Sequence, residues 1–430
     1  MGEPFPLEPS LWAATAPPAP DAPALSESVT ADVCIVGAGY TGLSTALHLA
    51  GRGIKAVVLD AKEPGFGGSG RNGGQVIPGL KFDPDELETM FGPEVGPRLV
   101  EFVAGTADMV FELIDKHRMN VPYTRTGWIQ SAFSPKAVPA LEARAAQWQK
   151  RGAPVQMLDK AETERHVGTG QYAGAWLDQR GGVVQPLSYA RELARTALSA
   201  GAAIHGKTHV TGLSRQNDKW TVRATNGATV TADRVVLATN GYTGDLWPGL
   251  RQTIIAANSF QIATQPLSDN VRKSILPGGQ ANSDSRRIGL YYRLDHTGRF
   301  LLGGRGRMGE PTQPGDWQHL HTMMERMFPQ LKGVGIEYRW GGRVALTRDH
   351  LPHVHEPAPG LLIDIGCMGR GVALKTAMGR AIANYIATSD TNALPLPPSP
   401  IRRIPVHALN KLYLAAFINW YRLIDRLEAA

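Results

Sequence analysis

Residues 33–36, Val33-Cys34-Ile35-Val36, form an unbroken apolar run that closes on Gly37, the pattern of a strand buried on both faces of a parallel sheet. From Tyr40 to Gly51 the apolar positions shift to a helical stripe of Leu43, Leu47 and Ala50. Residues 55–60 return to a strand ending in Asp60, so 32–60 reads as one βαβ unit, which implies a right-handed crossover. Helical periodicity then dominates 84–150, with a stretch at 124–133 that suits a strand. Pro186 opens a helix over 187–200 that stops at Gly201, and a strand follows at 203–206. Asn226-Gly227 marks a hairpin between 221–223 and 228–230, and 234–238 is another buried strand running into a turn. Residues 252–305 alternate like an antiparallel sheet, whereas the strand 361–366 and the helix 374–387 restore the α/β style.

These changes of style divide the chain. Residues 1–30, rich in Pro, Ala and Ser, read as a surface arm. A nucleotide-binding domain is assembled from 31–95, 155–248 and 345–395, a substrate domain from 96–154 and 249–344, and 396–430 form a tail ending in an amphipathic helix. In that helix Leu412, Ala415, Ala416, Asn419, Leu423 and Leu427 recur at helical spacing. The reading favours docking of this stripe on the protein's own body over subunit pairing or peripheral membrane attachment.

A chain of 430 residues exceeds what one hydrophobic core serves, which agrees with more than one lobe. Two cysteines, Cys34 and Cys367, exclude a disulfide framework, and with the lack of a basic-then-apolar leader they point to the cytoplasm. No apolar run approaches the ~20 residues of a membrane-crossing helix. The formal net charge of +7 comes from dispersed Lys and Arg, so no nucleic-acid partner is expected. His350, His353 and His355 recur closely, but irregular Pro-containing sequence argues against a metal site.

The chemistry concentrates in glycine turns. Gly37-Ala38-Gly39-Tyr40-Thr41-Gly42 is a G-x-G-x-x-G between a strand and a helix, with Asp60 at the end of the next strand and Ala61 beside it. The first glycine turns the chain, the second admits a pyrophosphate, the helix N-terminus supplies amide donors, and the acid suits a ribose hydroxyl. Ser69-Gly70-Arg71-Asn72-Gly73-Gly74-Gln75 can approach a planar ring and place a guanidinium on phosphate. Thr239-Asn240-Gly241 ends a later strand, and Gly369-Arg370-Gly371-Val372 opens a late helix. The three separated glycine turns beyond the first suit one long ligand better than NAD alone.

At these residues the chain resembles the D-amino-acid oxidase superfamily of FAD-dependent oxidoreductases, and within it the gamma-glutamylputrescine oxidoreductases. The likeness spans almost the whole chain, through the first βαβ unit, Gly68 to Gln75, Gly181 to Pro186, Tyr292-Arg293-Leu294 and Tyr338 to Gly342. It implies an α/β (α+β) architecture, with a discontinuous Rossmann-type FAD-binding domain on a parallel sheet and a substrate domain with a mixed or antiparallel sheet and helices. It places Gly37, Gly39 and Gly42 on the pyrophosphate, Asp60 on the ribose, and Val210 at adenine. It also places Ser69, Arg71, Asn72, Gly73 and Gln75 along pyrophosphate and flavin, Thr239 to Gly241 over the ribityl chain, and Gly369 to Val372 at the flavin pyrimidine edge. The FAD is expected to be non-covalent, because positions bonded to flavin in relatives are Asn72 and Gly342 here.

The departures shape the expected function. Arg370 stands where most relatives carry histidine, Val76-Ile77-Pro78 and Ala373 replace the basic carboxylate clamp of sarcosine oxidases, and Leu301 replaces their oxygen-activating lysine. The resemblance therefore implies oxidation of a C–N bond of a small amine to an imine that water hydrolyses, with a gamma-glutamylputrescine-like substrate preferred to a simple N-methyl amino acid. An FAD-dependent hydroxy-acid dehydrogenase and a flavin-binding docking module are the alternatives. Tyr291, Tyr292, Arg293 and Arg370 are the candidate catalytic residues; of the two tyrosines, strand alternation sends one toward ligand and one toward core. Arg305, Arg307 and Arg343 join Arg293 as candidates for an anionic substrate end.

Overall fold

A computed structural model describes residues 7–306 and 309–429. The short helix α1 (Leu11–Thr15) precedes the βαβ unit of β1 (Val29–Val36), α2 (Tyr40–Ala50) and β2 (Ala56–Leu59). Five strands run parallel in the order Ala203–His205, β2, β1, Thr229–Leu237 and Leu361–Ile365. Beside the central strand Thr229–Leu237, the first half pairs antiparallel with Lys219–Ala224 across the expected Asn226-Gly227 turn, and the last three residues pair with Leu361–Ile363. The sheet thus splits along one edge, and its strand ends converge on the glycine turns.

Helix Gly371–Thr388 crosses α2 closely: a Cβ at Gly379 would lie 2.6 Å from the Thr41 carbonyl oxygen. Asp364 ties this junction together, accepting from Thr41 Oγ1 at 2.7 Å and pairing with Lys375 Nζ at 2.7 Å. Both charges of that pair are buried, and removing either would strand the other, a loss of about 3–5 kcal/mol.

The second sheet has the order Ile336–Thr347, Ile254–Thr264, Phe300–Arg305, Tyr291–Leu294, Ala281–Asp284, Trp128–Ala132, Gly174–Asp178, Val155–Leu158. Its pairings are antiparallel except Ala281–Asp284 on Trp128–Ala132, which is parallel, so the sheet is mixed. Two expected boundaries shift. The strands of 155–178 join this substrate sheet, because Gly174–Asp178 pairs with Trp128–Ala132 and Val155–Leu158 pairs in turn with Gly174–Asp178. Thr106–Lys116, expected in the substrate domain, packs on Gly371–Thr388 of the nucleotide domain.

The surface arm is also corrected. Trp12 is 0% exposed and packs edge-on to Trp340 at 5.7 Å, in a cluster with Leu7, Leu11, Leu187 and Leu301. Its indole donates to Asn72 O at 2.8 Å, and its own carbonyl accepts from Gln185 at 2.9 Å, so this segment braces the second glycine loop.

At the other end, Asn410–Ala429 is helical as the spacing implies, but its apolar stripe does not dock on the body. Leu412 is 69% exposed, Trp420 58% and Leu427 65%. The body is held by the polar side instead, where Arg287 pairs with Asp425 at 3.2 Å and Glu428 at 2.7 Å. Among the described residues no helix is long and apolar enough to cross a membrane.

Candidate active site

One elongated cavity of about 990 Å³ follows the strand ends of the first sheet and runs under the second. The first glycine turn forms one wall. Gly37 has φ +109°, a conformation that glycine adopts freely, and a Cβ there would meet the Ala238 carbonyl oxygen at 2.9 Å. Gly42 sits behind the wall: its Cβ would overlap the Gly37 carbonyl oxygen at 2.0 Å, so glycine here lets α2 start hard against the turn. Asp60 holds the turn from below, accepting from Ala38 N at 2.7 Å and Lys62 N at 2.9 Å. Burial raises its pKa, opposed by those two amide donors.

The second glycine loop is built as a rigid shelf. Ser69 Oγ accepts from Tyr40 N at 3.0 Å, and Asn72 Nδ2 donates to Gly68 O, Ser69 O and the Tyr40 hydroxyl, while Asn72 Oδ1 caps Gly74 N at 2.8 Å. Arg71 borders the cavity and is braced from behind. It is buried, donates to Phe66 O at 2.7 Å and Gly341 O at 3.3 Å, and stacks 4.6 Å over Phe66. A Cβ at Gly342 would lie 2.8 Å from Arg71 Cβ, so these two segments interlock.

Of the expected cofactor residues, Gly37, Gly39, Tyr40, Thr41, Asp60, Ala61, Ser69, Arg71, Asn72, Gly73, Gln75, Val210, Thr239, Asn240, Gly241, Gly369, Arg370, Gly371 and Val372 all border this cavity. Ala38, Gly42, Gly70 and Gly74 lie behind it. Gly70 and Gly74 are packing positions, whose Cβ atoms would meet Gly65 O at 2.4 Å and Val184 O at 2.2 Å. The late turn has Gly369 at φ +80° and leads into the N-terminus of Gly371–Thr388, whose positive dipole end meets the cavity.

Strand alternation divides the tyrosines as expected. Tyr291 borders the cavity and shares a hydrogen bond of 2.8 Å with Ser259 Oγ. Burial pushes its phenol up to about 12, offset in part by Ser259, so it stays protonated. Tyr292 is corrected from catalytic to core: it is 0% exposed, packs on Phe300 and Phe328, and meets the Tyr172 hydroxyl at 3.2 Å. Arg293 is likewise corrected. It lies behind the shelf, donates to Val184 O at 2.7 Å and Gly74 O at 3.1 Å, and faces a separate small cleft.

Arg370 borders the main cavity, donating to Pro78 O and stacking 5.3 Å from the Trp128 ring. Arg343 also borders it, paired with Glu310 at 2.6 Å and set 5.2 Å over Tyr242. Arg305 does not line it, and Arg307 falls outside the described residues. Residues not foreseen as site residues include Lys81, Trp128, Gln130, Ser259, Gln261, Asp284, Arg286 and Arg287. Trp128, Gln130 and Asp284 arrive through the pairing of 281–284 with 128–131, and Ser259 and Gln261 on the strand Ile254–Thr264, contacts with no local signal. Burial lifts Asp284 to about 6 against the pull of Arg286 and two amide donors, and the Arg286 pair occupies its carboxylate. Among the described residues no cluster of His, Cys, Asp or Glu has the arrangement of a metal site.

The cradle fits an extended dinucleotide. Its glycines sit where side chains would fill the wall or collide with backbone, and the N-termini of α2 and of Gly371–Thr388 both border it. Comparison with known proteins gives the same reading. The family described as FAD dependent oxidoreductase matches residues 32–385. The chain is 33% identical over 414 residues to the gamma-glutamylputrescine oxidoreductase of Escherichia coli, covering 94% of this chain and 95% of that protein. It is 31% identical over 424 residues to a probable oxidoreductase OrdL of Rhizobium meliloti, covering 97% of each. Among solved structures, the glycine oxidase of Geobacillus kaustophilus superposes with a TM-score of 0.71 at 21% identity, covering 84% of this chain and 96% of that one. The L-proline dehydrogenase of P. horikoshii gives 0.70 at 19% identity, covering 85% and 95%. The chain belongs to the FAD dependent oxidoreductase family, and is an FAD-dependent oxidoreductase.

Proposed function

We propose that the protein oxidises the C–N bond of an amine bearing a remote polar or anionic group, a gamma-glutamylated diamine being the type case, to an imine that water then hydrolyses. The observation that carries this reading is the single cavity in which glycine turns continue into an end lined by Tyr291, Ser259, Gln261 and Gln130, with Lys81 and Arg370 beside them. The name of the Escherichia coli relative supports the substrate class.

In this reading Gly37–Thr41 hold the pyrophosphate, Asp60 the ribose, Val210 the adenine, Ser69–Gln75 the pyrophosphate and flavin, and the amides of Gly369–Val372 the flavin pyrimidine edge. Bound flavin supplies the two-electron acceptor. The amine gives up two electrons and two protons as its C–N single bond becomes C=N, and water releases an aldehyde with ammonia from a primary amine or an amine from a secondary one. Tyr291, held by Ser259 and un-ionised, orients the substrate as a donor and acceptor. Asp284 is engaged by Arg286, Leu290 N and Arg286 N, so it is no free base. The substrate accordingly reacts as the neutral amine, selected from solution.

Anaerobic mixing of the yellow holoenzyme with gamma-glutamylputrescine, sarcosine or proline tests this. Faster bleaching of the flavin absorbance by the gamma-glutamylated diamine is expected. Equal or faster bleaching by sarcosine or proline would overturn the substrate class, and bleaching by none of the amines would overturn the reaction.

A further inference from the structure

At the substrate end of the cavity, the charges do not balance. Four cations gather there: Lys81, Arg144, Arg180 and Arg370. Arg180 is satisfied by Asp178, through Nε at 2.9 Å and Nη2 at 2.6 Å, and lies 4.4 Å over Trp148. Arg144 is satisfied by Asp83 and by Gln130 Oε1 at 3.0 Å. The two carboxylates are therefore spent on the two arginines behind the wall. The two cations left over, Lys81 and Arg370, are the two that border the cavity.

Their surroundings offer an anion only donors. The Lys81 ammonium has no hydrogen bond or ion pair among the described residues, and its side chain is accessible where the cavity opens. The Arg370 guanidinium has its Nη1 on Pro78 O and its face toward Trp128, and it is buried. Gln130 takes bonds from Arg144 and Trp176 on its carbonyl oxygen, each at 3.0 Å, which leaves its amide NH₂ as the end free for a ligand. Cations held near one another without a counterion repel: Arg370 and Arg144 both act, after burial, to lower the basicity of Lys81. A bound anion would relieve that repulsion and find charge-assisted hydrogen bonds in place.

We propose that Lys81, Arg370 and the Gln130 amide form a subsite for a carboxylate carried by the substrate at a distance from its reacting nitrogen. This deepens the function proposed above and rests on it for the reacting group. The subsite takes the place of the carboxylate clamp that Val76-Ile77-Pro78 and Ala373 cannot provide: Lys81 and Arg370 lie within three residues of those positions, and Gln130 is contributed by the substrate sheet.

The test is binding to the holoenzyme of two probes without an amine, the mono-n-butylamide of glutaric acid, which is anionic, and its neutral carboxamide. Both are followed by calorimetry and by perturbation of the flavin spectrum. The intact protein should bind the anionic probe roughly tenfold to a hundredfold more tightly, the range for a hydrogen bond to a charged group. Lys81→Met should erase that preference with FAD content unchanged, and Lys81→Arg should restore most of it. If Lys81→Met does not fold, Gln130→Glu should still receive Arg144 and Trp176 while repelling the anion, and the preference should again fall by about tenfold or more. Equal binding of the two probes by the intact protein, or a preference that survives Lys81→Met or Gln130→Glu, would overturn the subsite. These readouts need no turnover, so failure of every amine to bleach the flavin would strike the proposed reaction and leave the subsite standing.

Discussion

Two glycines of the first turn should fail in different ways, and the difference follows from where each Cβ would go. At Gly42 an added methyl lies 2.0 Å from the Gly37 carbonyl oxygen and 3.2 Å from Ile35 Cγ2, whereas Cβ contacts do not fall below 3.0 Å. The helix start or the turn must therefore move by about 1 Å, and because the first obstacle is backbone, the cost lies toward the upper part of the ~1–3 kcal/mol typical of overpacking. At Gly39 the nearest atom is the Ser69 hydroxyl at 3.0 Å, and the methyl otherwise points into the cavity. Gly39→Ala should change the stability of the flavin-free protein by no more than about 0.5–1 kcal/mol. It should still weaken FAD binding, because displacing a phosphate from one amide forfeits a charge-assisted hydrogen bond, a factor of roughly 10–100. Urea unfolding of the apoprotein followed by tryptophan fluorescence, together with titration by quenching of FAD fluorescence, separates the two effects. The reasoning is refuted if Gly39→Ala binds FAD like the parent, or if Gly42→Ala unfolds at the parental urea midpoint.

Tyr292→Phe removes only a buried contact with the Tyr172 hydroxyl and should cost about 1 kcal/mol of stability while leaving the rate of flavin reduction within twofold, as read by urea unfolding and anaerobic stopped flow. Tyr291→Phe should do the reverse, slowing reduction with stability nearly unchanged. Acid precipitation should leave all yellow colour in the supernatant, since Gly342 and Asn72 offer no nucleophile and the Cys367 thiol, though beside the cavity, is nine-tenths buried under Ala345; colour in the pellet with a peptide mass shift at Cys367 would contradict this. Lys81 is accessible at the cavity mouth, yet desolvation by the surrounding wall, then Arg370 and Arg144, lower it to about 8, so it is charged below that pH and neutral above it. Affinity for the anionic probe should therefore fall as the pH rises through about 8, while the neutral probe stays flat and the Lys81→Met variant, left with Arg370, which burial lowers to about 9, loses affinity only at higher pH.

What was legible in the sequence is what neighbouring residues decide. The run 33–36, the stripe of α2 and the turn at Gly37 lie within one short segment, and each forces its conformation locally. The glycine turns were legible for the same reason, because φ values such as +109° at Gly37 and +80° at Gly369 are conformational demands on single residues. The N-terminal segment was misread because nothing near Trp12 announces burial. Its partners are Asn72, Gln185 and Trp340, and only the folded chain brings them to it. The shift of 155–178 has the same origin, since a strand's sheet is set by its pairing partner, not by its own alternation.

The C-terminal helix shows how a correct local reading can give a wrong neighbour. Its period was right, but the body offers Arg287, a cation on the segment that lines the cavity, and this captures Asp425 and Glu428 while Leu412, Trp420 and Leu427 turn outward. The same rule divides the active site. FAD contacts made by amides in glycine turns can be read from motifs, because any residue's amide serves once the turn exists. Substrate contacts depend on which side chains two paired strands bring together. Gln130 enters beside Ser283 through parallel pairing, and Lys81 becomes informative only when Asp83 and Asp178 are seen to be committed elsewhere. A family can therefore keep its flavin cradle while changing its amine, and the residues that change should be sought along the 128–131 and 281–284 pairing and at the Lys81 end of the cavity.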